Sequence, residues 1–222
     1  VPGPPGTPAA TSFANGQSVV TWTAAAANGS TLTRYTVTSS GGQTCTTPTG
    51  TTLTCTVTGL TNGTAYTFTV TATNAIGTGP ASAASAPATP ATTPGAPTGV
   101  TATSGGNAQS TVYWTAPASN GGAPITGYSV ANASGGTVGA ATCTTTGATS
   151  CTVTGLTNGT AYTFTVKATN AAGTSAASAP SAAVVPAANV PGPPGTPTAT
   201  SFANGQSVVT WTAAAANGST LT

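Results

Sequence analysis

The side chains with the most chemistry to offer in this 222-residue chain are four cysteines, Cys45, Cys55, Cys143 and Cys151. They fall into two pairs, with nine and seven residues between the members. A thiolate serves as a nucleophile, a metal ligand or half of a disulfide, and its surroundings decide which. Nucleophilic use needs a neighbouring base, and the chain contains no Asp, Glu or His. Composition therefore excludes Ser-His-Asp and Cys-His sites and the usual general acids and bases. It also excludes mixed His/Cys zinc sites and carboxylate calcium or magnesium sites. An all-thiolate zinc site would require the two pairs to meet from separate repeats, against the short ligand spacings such sites use. An even count at equivalent places argues for intradomain disulfides in an oxidising compartment. Buried free thiols and intermolecular disulfides are the alternatives. No enzyme activity, cofactor or metal is expected.

The only cationic side chains are Arg34 and Lys167, and charged residues make up 1% of the chain. Typical globular chains are about 25% charged. Two separated cations do not neutralise a row of phosphates, so no nucleic-acid partner is expected. Both fall on outward phases and read first as solvated side chains; with no carboxylate side chain to pair with, backbone carbonyls, aromatic faces or an acidic glycan are the remaining partners. Asn28, Asn62, Asn132, Asn158 and Asn217 each precede x-Ser/Thr and are candidate glycosylation positions. In Asn-Gly corners the turn geometry explains the Asn equally well. The many Thr and Ser residues offer O-linked positions too. No apolar run approaches the ~18 residues of a membrane span. The start at Val1, without Met and on a repeat boundary, reads as a mature or excised product with no signal peptide.

The elements that must hold these groups are strands. Cys55 to Val70 recurs unchanged at Cys151 to Val166, sixteen residues at a spacing of 96. Within it Tyr66-Thr-Phe68-Thr-Val70-Thr-Ala72 alternates strictly, the signature of a strand with one buried and one wet face. Leu60-Thr-Asn62-Gly63-Thr before it is a corner, and a Tyr just beyond such a corner fits a tyrosine corner. Strands are predicted around Val20 and Trp22, from Leu32 through Tyr35 and Val37, and around Val57. A turn at Asn74-Ala-Ile-Gly77 and a weakly apolar final strand from Ser82 to Ala88 complete the unit. Pro-rich stretches at Val1–Pro8 and Pro90–Pro97 act as extended connectors.

The pattern then restarts. Val112 and Trp114 match Val20 and Trp22; Ile125, Tyr128 and Val130 match Leu32, Tyr35 and Val37. Val190 to Thr222 copies Val1 to Thr33 with Thr198 in place of Ala9 as the only change. Three segments follow: domains over 1–91 and 92–188, and the first strands of a third, incomplete one over 189–222. Either the natural chain continues, or the last segment completes a domain with strands from another chain, or it is a simple fragment. Seven or so short strands per unit indicate an all-β fold of antiparallel sandwiches.

The order Pro lead-in, Trp22, Tyr35, Leu60, Tyr66-x-Phe68-x-Val70-x-Ala72-x-Asn74 and Gly77 resembles a fibronectin type III domain. The Ala/Thr/Gly/Ser-rich dialect is similar to versions in secreted and surface proteins of bacteria. The resemblance implies tandem immunoglobulin-like, seven-stranded sandwiches and carries no catalytic residues across. It also implies that one cysteine of each pair lies on the short strand after the Gly-Gly turn and the other on the strand before the corner, so that the bond ties the two sheets at an edge.

Most aromatics fall on inward phases. Three do not: Tyr113 is adjacent to Trp114 and must point outward, and Phe13 and Phe202 lie ahead of the Trp strand. On a nearly uncharged surface they are candidate contacts with a neighbouring domain or subunit. Local cover of their own domain and a carbohydrate platform are the other readings. Sandwich edges are usually guarded by charge. A chain without it is either clad in sugar or built to associate. The expected role is a non-catalytic part of an extracellular or cell-surface filament, fibre or sheath, self-associating through repeated sandwiches. A surface adhesin or carbohydrate-binding array and an inert spacer of a larger secreted hydrolase are the alternatives.

Overall fold

The computed structural model describes residues 1–104, 106–134, 142–187, 193–201 and 204–214. The chain divides into two compact units centred on Val1–Ala96 and Gly127–Lys167.

The first sandwich has seven strands: β1 (Ala9–Ala10), β2 (Gln17–Thr21), β3 (Leu32–Ser39), β4 (Thr44–Thr46), β5 (Thr54–Thr58), β6 (Phe68–Asn74) and β7 (Gly77–Thr78). They sort into a three-stranded sheet, β1-β2-β5, and a four-stranded sheet, β4-β3-β6-β7, antiparallel throughout. Alternation decides which faces meet. β6 buries Phe68, Val70, Ala72 and Asn74 and leaves the threonines between them partly exposed. In register opposite, β3 sets Val37 against Val70 and Tyr35 against Ala72. The other sheet contributes Val20 and Val57, with Trp22 just beyond β2. Trp22 and Tyr35 meet edge to face at 5.4 Å, the arrangement ring quadrupoles favour. Each fully buried Val or Phe here is worth about 1.5–3 kcal/mol.

The second sandwich repeats the plan with β8 (Thr98–Ser104), β9 (Gln109–Thr115), β10 (Ile125–Ser134), β11 (Thr142–Thr145), β12 (Ser150–Thr154), β13 (Thr163–Asn170) and β14 (Gly173–Thr174). Its sheets are β12-β9-β8 and β11-β10-β13-β14.

The expected final strand from Ser82 to Ala88 is not a β-strand. The amides of Gly79, Ser82, Ser85 and Ala88 donate to the carbonyls of Ala72, Val70, Phe68 and Tyr66. Three residues advance on one side for every two on the other. A three-residue period is that of polyproline II. Such a segment leaves alternate amides of β6 without a backbone acceptor, and serine hydroxyls replace it. Ser82 Oγ accepts from Val70 N and Ser85 Oγ from Phe68 N, both at 3.0 Å. The second sandwich extends the device: Ser175, Ser178 and Ser181 Oγ accept from the amides of Ala168, Val166 and Phe164. The Pro-rich lead-in also bonds every third residue, through the glycines set between its prolines. Gly3 and Gly6 donate to Ala26 and Thr23.

A last hairpin pairs β15 (Thr198–Ser201) with β16 (Ser207–Thr210). Trp211 beside it is 61% exposed, whereas Trp22, in the same local sequence, is 6% exposed. Among the described residues β15 and β16 form a sheet of two strands, whereas Trp22 packs between two sheets.

Candidate contact and modification sites

The cysteines are joined as Cys45–Cys55 and Cys143–Cys151, with Cα atoms 6.2 Å apart in each pair. Cys45 lies on β4 opposite Val37, and Cys55 on β5 opposite Val20, so the bond crosses from one sheet to the other. Cys143 on β11 and Cys151 on β12 do the same opposite Val130 and Val112. The loops they close are short, and loop-closure entropy assigns each roughly 2–3 kcal/mol.

The repeated corner is held from both sides. Tyr66 Oη accepts from Thr61 N at 3.1 Å, and Tyr162 Oη from Thr157 N at 3.0 Å. That backbone bond favours the phenolate, so Tyr66 sits below the ordinary tyrosine range. Tyr128 shifts the other way, because burial disfavours its charged form. Asn62 Oδ1 accepts from Gly16 N at 2.8 Å while its Nδ2 donates to Asn15 Oδ1 at 2.8 Å. Asn158 makes the same clamp, with Ala108 N at 2.9 Å and Asn107 Oδ1 at 2.6 Å. Sequence reasoning singled out Asn62 and Asn158 as sugar acceptors or turn formers, and missed this clamp. Its partners lie 46 to 51 residues away, beyond any local pattern.

The other asparagines differ. Asn28 is exposed with φ +52° and donates to Val1 O at 3.0 Å. Asn132 is half-buried on β10, with Oδ1 buried and without a hydrogen-bond partner. Asn217 lies outside the described residues, as does Phe202.

Phe13 is 48% exposed and holds φ +63°, a conformation a bulky side chain seldom adopts. Its amide donates to Thr89 O at 2.9 Å, which helps hold it there. Tyr113 on β9 is 46% exposed, between Thr101 on β8 and Ser150 on β12. Ile76, at the β6–β7 turn, is an exposed apolar side chain that the sequence reading did not single out. Its place at the tip of a hairpin turn was the available signal. Arg34 and Lys167 are both exposed.

Among the described residues no group of three or more His, Cys, Asp or Glu could hold a metal ion. No helix among them is long and apolar enough to cross a membrane. An open groove of about 430 Å³ beside the Ala27–Ser30 turn is lined by Ala27, Gly29, Leu32 and Gly50 among others, without a titratable side chain.

Two cross-linked sandwiches, each with a tyrosine corner, define a tandem β-sandwich module of the immunoglobulin-like class. The family model of the fibronectin type III domain matches residues 3–88 and 95–184, and the chain belongs to that family. No curated protein matches it. Among solved structures, a run of titin domains shares 23% identity at a TM-score of 0.56, over 83% of this chain and 66% of that one. The FN1–FN3 domains of chicken CNTN1 share 24% identity at a TM-score of 0.43, over 95% of this chain and 75% of that one. A titin kinase with its flanking domains shares 32% identity at a TM-score of 0.39, over 43% of this chain and 18% of that one. The first of these likenesses supports the fold alone.

Proposed function

We propose that the chain is a non-catalytic, structural section of an extracellular filament, fibre or sheath, made of fibronectin type III sandwiches that associate with copies of themselves. The carrying observation is a pair of near-repeated sandwiches whose only cationic side chains are Arg34 and Lys167, with Phe13 and Tyr113 open to solvent. Little charge of either sign means little repulsion between neighbours. The two disulfides favour an oxidising location. The serine-bonded segments of period three present few aligned free amides at that edge, so association runs through side-chain faces rather than through added strands. Near-repeated units joined head to tail grow into a filament where the rotation does not close.

Electron microscopy of native material, harvested without denaturation, tests this reading. Ordered filaments repeating with the domain pair are expected. Dispersed, flexible beads on a string would overturn it.

A carbohydrate-binding adhesin is the second reading, favoured by Tyr113 standing among the hydroxyl-bearing Thr101 and Ser150. Aromatic faces with flanking hydroxyls suit sugar rings. Loss of glycan retention in Tyr113→Ala, with filaments intact, would move the assignment there.

A further inference from the structure

Asn-Gly is the dipeptide most open to self-modification, because glycine has no Cβ to shield its amide nitrogen from the neighbouring carboxamide. The two sandwiches contain five such pairs, at Asn15, Asn28, Asn62, Asn120 and Asn158. In four, the glycine amide, which must act as the nucleophile, is engaged. Gly16 N donates to Asn62 Oδ1 at 2.8 Å and Gly63 N to Pro90 O at 2.8 Å. Gly121 N donates to Ser119 Oγ at 3.1 Å and Gly159 N to Pro186 O at 2.9 Å. Gly29 N makes none of these bonds, and the Asn28 carboxamide is tied by an exposed bond from Nδ2 to Val1 O at 3.0 Å. Gly29 lies at the crest of a turn whose ends are tied instead: Ser30 N donates to Ala27 O, and Asn74 Nδ2 donates to Ala27 O and Ser30 O. Gly29 also lines the open groove, and nothing lies within 4 Å of where a Cβ would stand. Water therefore reaches the peptide.

We infer that Asn28-Gly29 is a spontaneous deamidation site, the point at which this carboxylate-free chain acquires a negative side chain. The Gly29 nitrogen loses its proton and attacks Asn28 Cγ, forming a C–N bond and a five-membered imide. The Cγ–Nδ2 bond breaks, and ammonia leaves with a proton. Water then adds to one imide carbonyl and reopens the ring, giving aspartate or isoaspartate at position 28. Nothing is oxidised or reduced, and water is the only co-reactant. The formal charge falls from +2 to +1 (2 − 1 = 1), half of what the chain carries. On a surface without other carboxylates, that changes how copies repel.

The test uses the intact chain aged in mildly alkaline buffer made with heavy-oxygen water. Trypsin cuts only after Arg34 and Lys167, giving fragments 1–34, 35–167 and 168–222. The cut separates Asn28 from its copy Asn217, and fragmentation of 1–34 separates it from Asn15. Heavy oxygen is expected at Asn28 at least about tenfold faster than at Asn15, Asn62, Asn120 and Asn158, since each of those needs local opening first. In denaturant the five should react at similar rates. Isoelectric focusing should show fragment 1–34 gaining one negative charge, and Asn28→Gln should abolish that shift. A folded chain in which Asn62 or Asn158 reacts as fast as Asn28 overturns the inference. So does an Asn28 that reacts only in denaturant.

Discussion

The two sandwiches carry the same corner letter for letter and differ at positions that support it. Three residues after the buried tryptophan, the first has Ala25 and the second Pro117. Ala25 N donates to Tyr35 Oη at 3.1 Å, a buried bond between the connection after β2 and the strand β3. Proline has no N–H to give, so the equivalent Tyr128 is held by packing, with its ring 5.3 Å from that of Trp114. Immediately before the second strand, the left-handed residue is Gly16 (φ +63°) in the first sandwich and Ala108 (φ +55°) in the second. The same clamp asparagine grips both. One framework thus tolerates loss of a hydrogen bond in one place and a strained backbone in another, provided the core and cross-link persist.

The disulfides should give the largest effect and the smallest contrast. Replacing Cys45 and Cys55 by Ala is expected to cost the first sandwich roughly 2–3 kcal/mol, and Cys143 with Cys151 the second nearly the same, because closure entropy follows the logarithm of loop length. Denaturant unfolding of the two double variants measures both. A cost much larger in one sandwich would show that its bond corrects a weakness the other lacks.

The tyrosines should separate the sandwiches next. Tyr35→Phe strands the buried Ala25 amide and is expected to cost about 1–3 kcal/mol. Tyr128→Phe removes no such acceptor and should lie near zero. The same pair sharpens at alkaline pH. Tyr128 has its folded value raised by burial, so its contribution is fully present below the ordinary phenol value of about 10 and is lost as pH climbs through the folded value. Tyr66 is lowered by its backbone bond to Thr61, so its contribution is fully present above that ordinary value and is lost as pH falls through the lowered folded value, opposing alkaline loss in the first sandwich. Unfolding above about pH 10 should therefore begin in the second sandwich, and Tyr128→Phe should delay it. Between about pH 3 and 7 the melting temperature should hardly move, since no side chain titrates there. Unfolding that begins in the first sandwich would break the comparison.

What was legible in the sequence was whatever repeats at short range. Alternation about Phe68 and Val70 placed β6 and its buried face, and the Leu60 to Tyr66 spacing placed the corner. The resemblance to the family put each cysteine on the correct strand. The last edge differs: Ala-Ser-Ala-Ala-Ser-Ala-Pro reads as a weakly apolar strand, whereas its buried serines, Ser82 and Ser85, recur at three. The absence of charge argued for unguarded edges; hydroxyls bonded to β6 and β13 guard these instead. The Asn62 and Asn158 clamps and the engaged glycine amides were invisible, since each joins residues brought together only by the folded sheets. Phe13 stands out in the sequence by its place ahead of the Trp strand, but its positive φ is helped by a bond to the Thr89 carbonyl, far along the chain.

The subtlest contrast lies at Gly16 and Ala108. A left-handed L-residue costs about 1–2 kcal/mol that glycine avoids, while glycine gives up about 0.4–1 kcal/mol through its freer unfolded chain. The difference leaves Gly16→Ala destabilising by about 0.5–1 kcal/mol and Ala108→Gly stabilising by a similar amount. Space does not decide the matter, since a Cβ on Gly16 would meet only Leu60 O, at 3.4 Å. The clamp does: Gly16 N and Ala108 N must keep pointing at Asn62 and Asn158, which pins φ whatever the side chain. Making both exchanges in one chain should move the advantage from the first sandwich to the second, read as a swap in which transition comes first. If Ala108→Gly leaves the second sandwich unchanged, strain at that turn is relieved elsewhere, and the two sandwiches are closer in energy than their backbones imply.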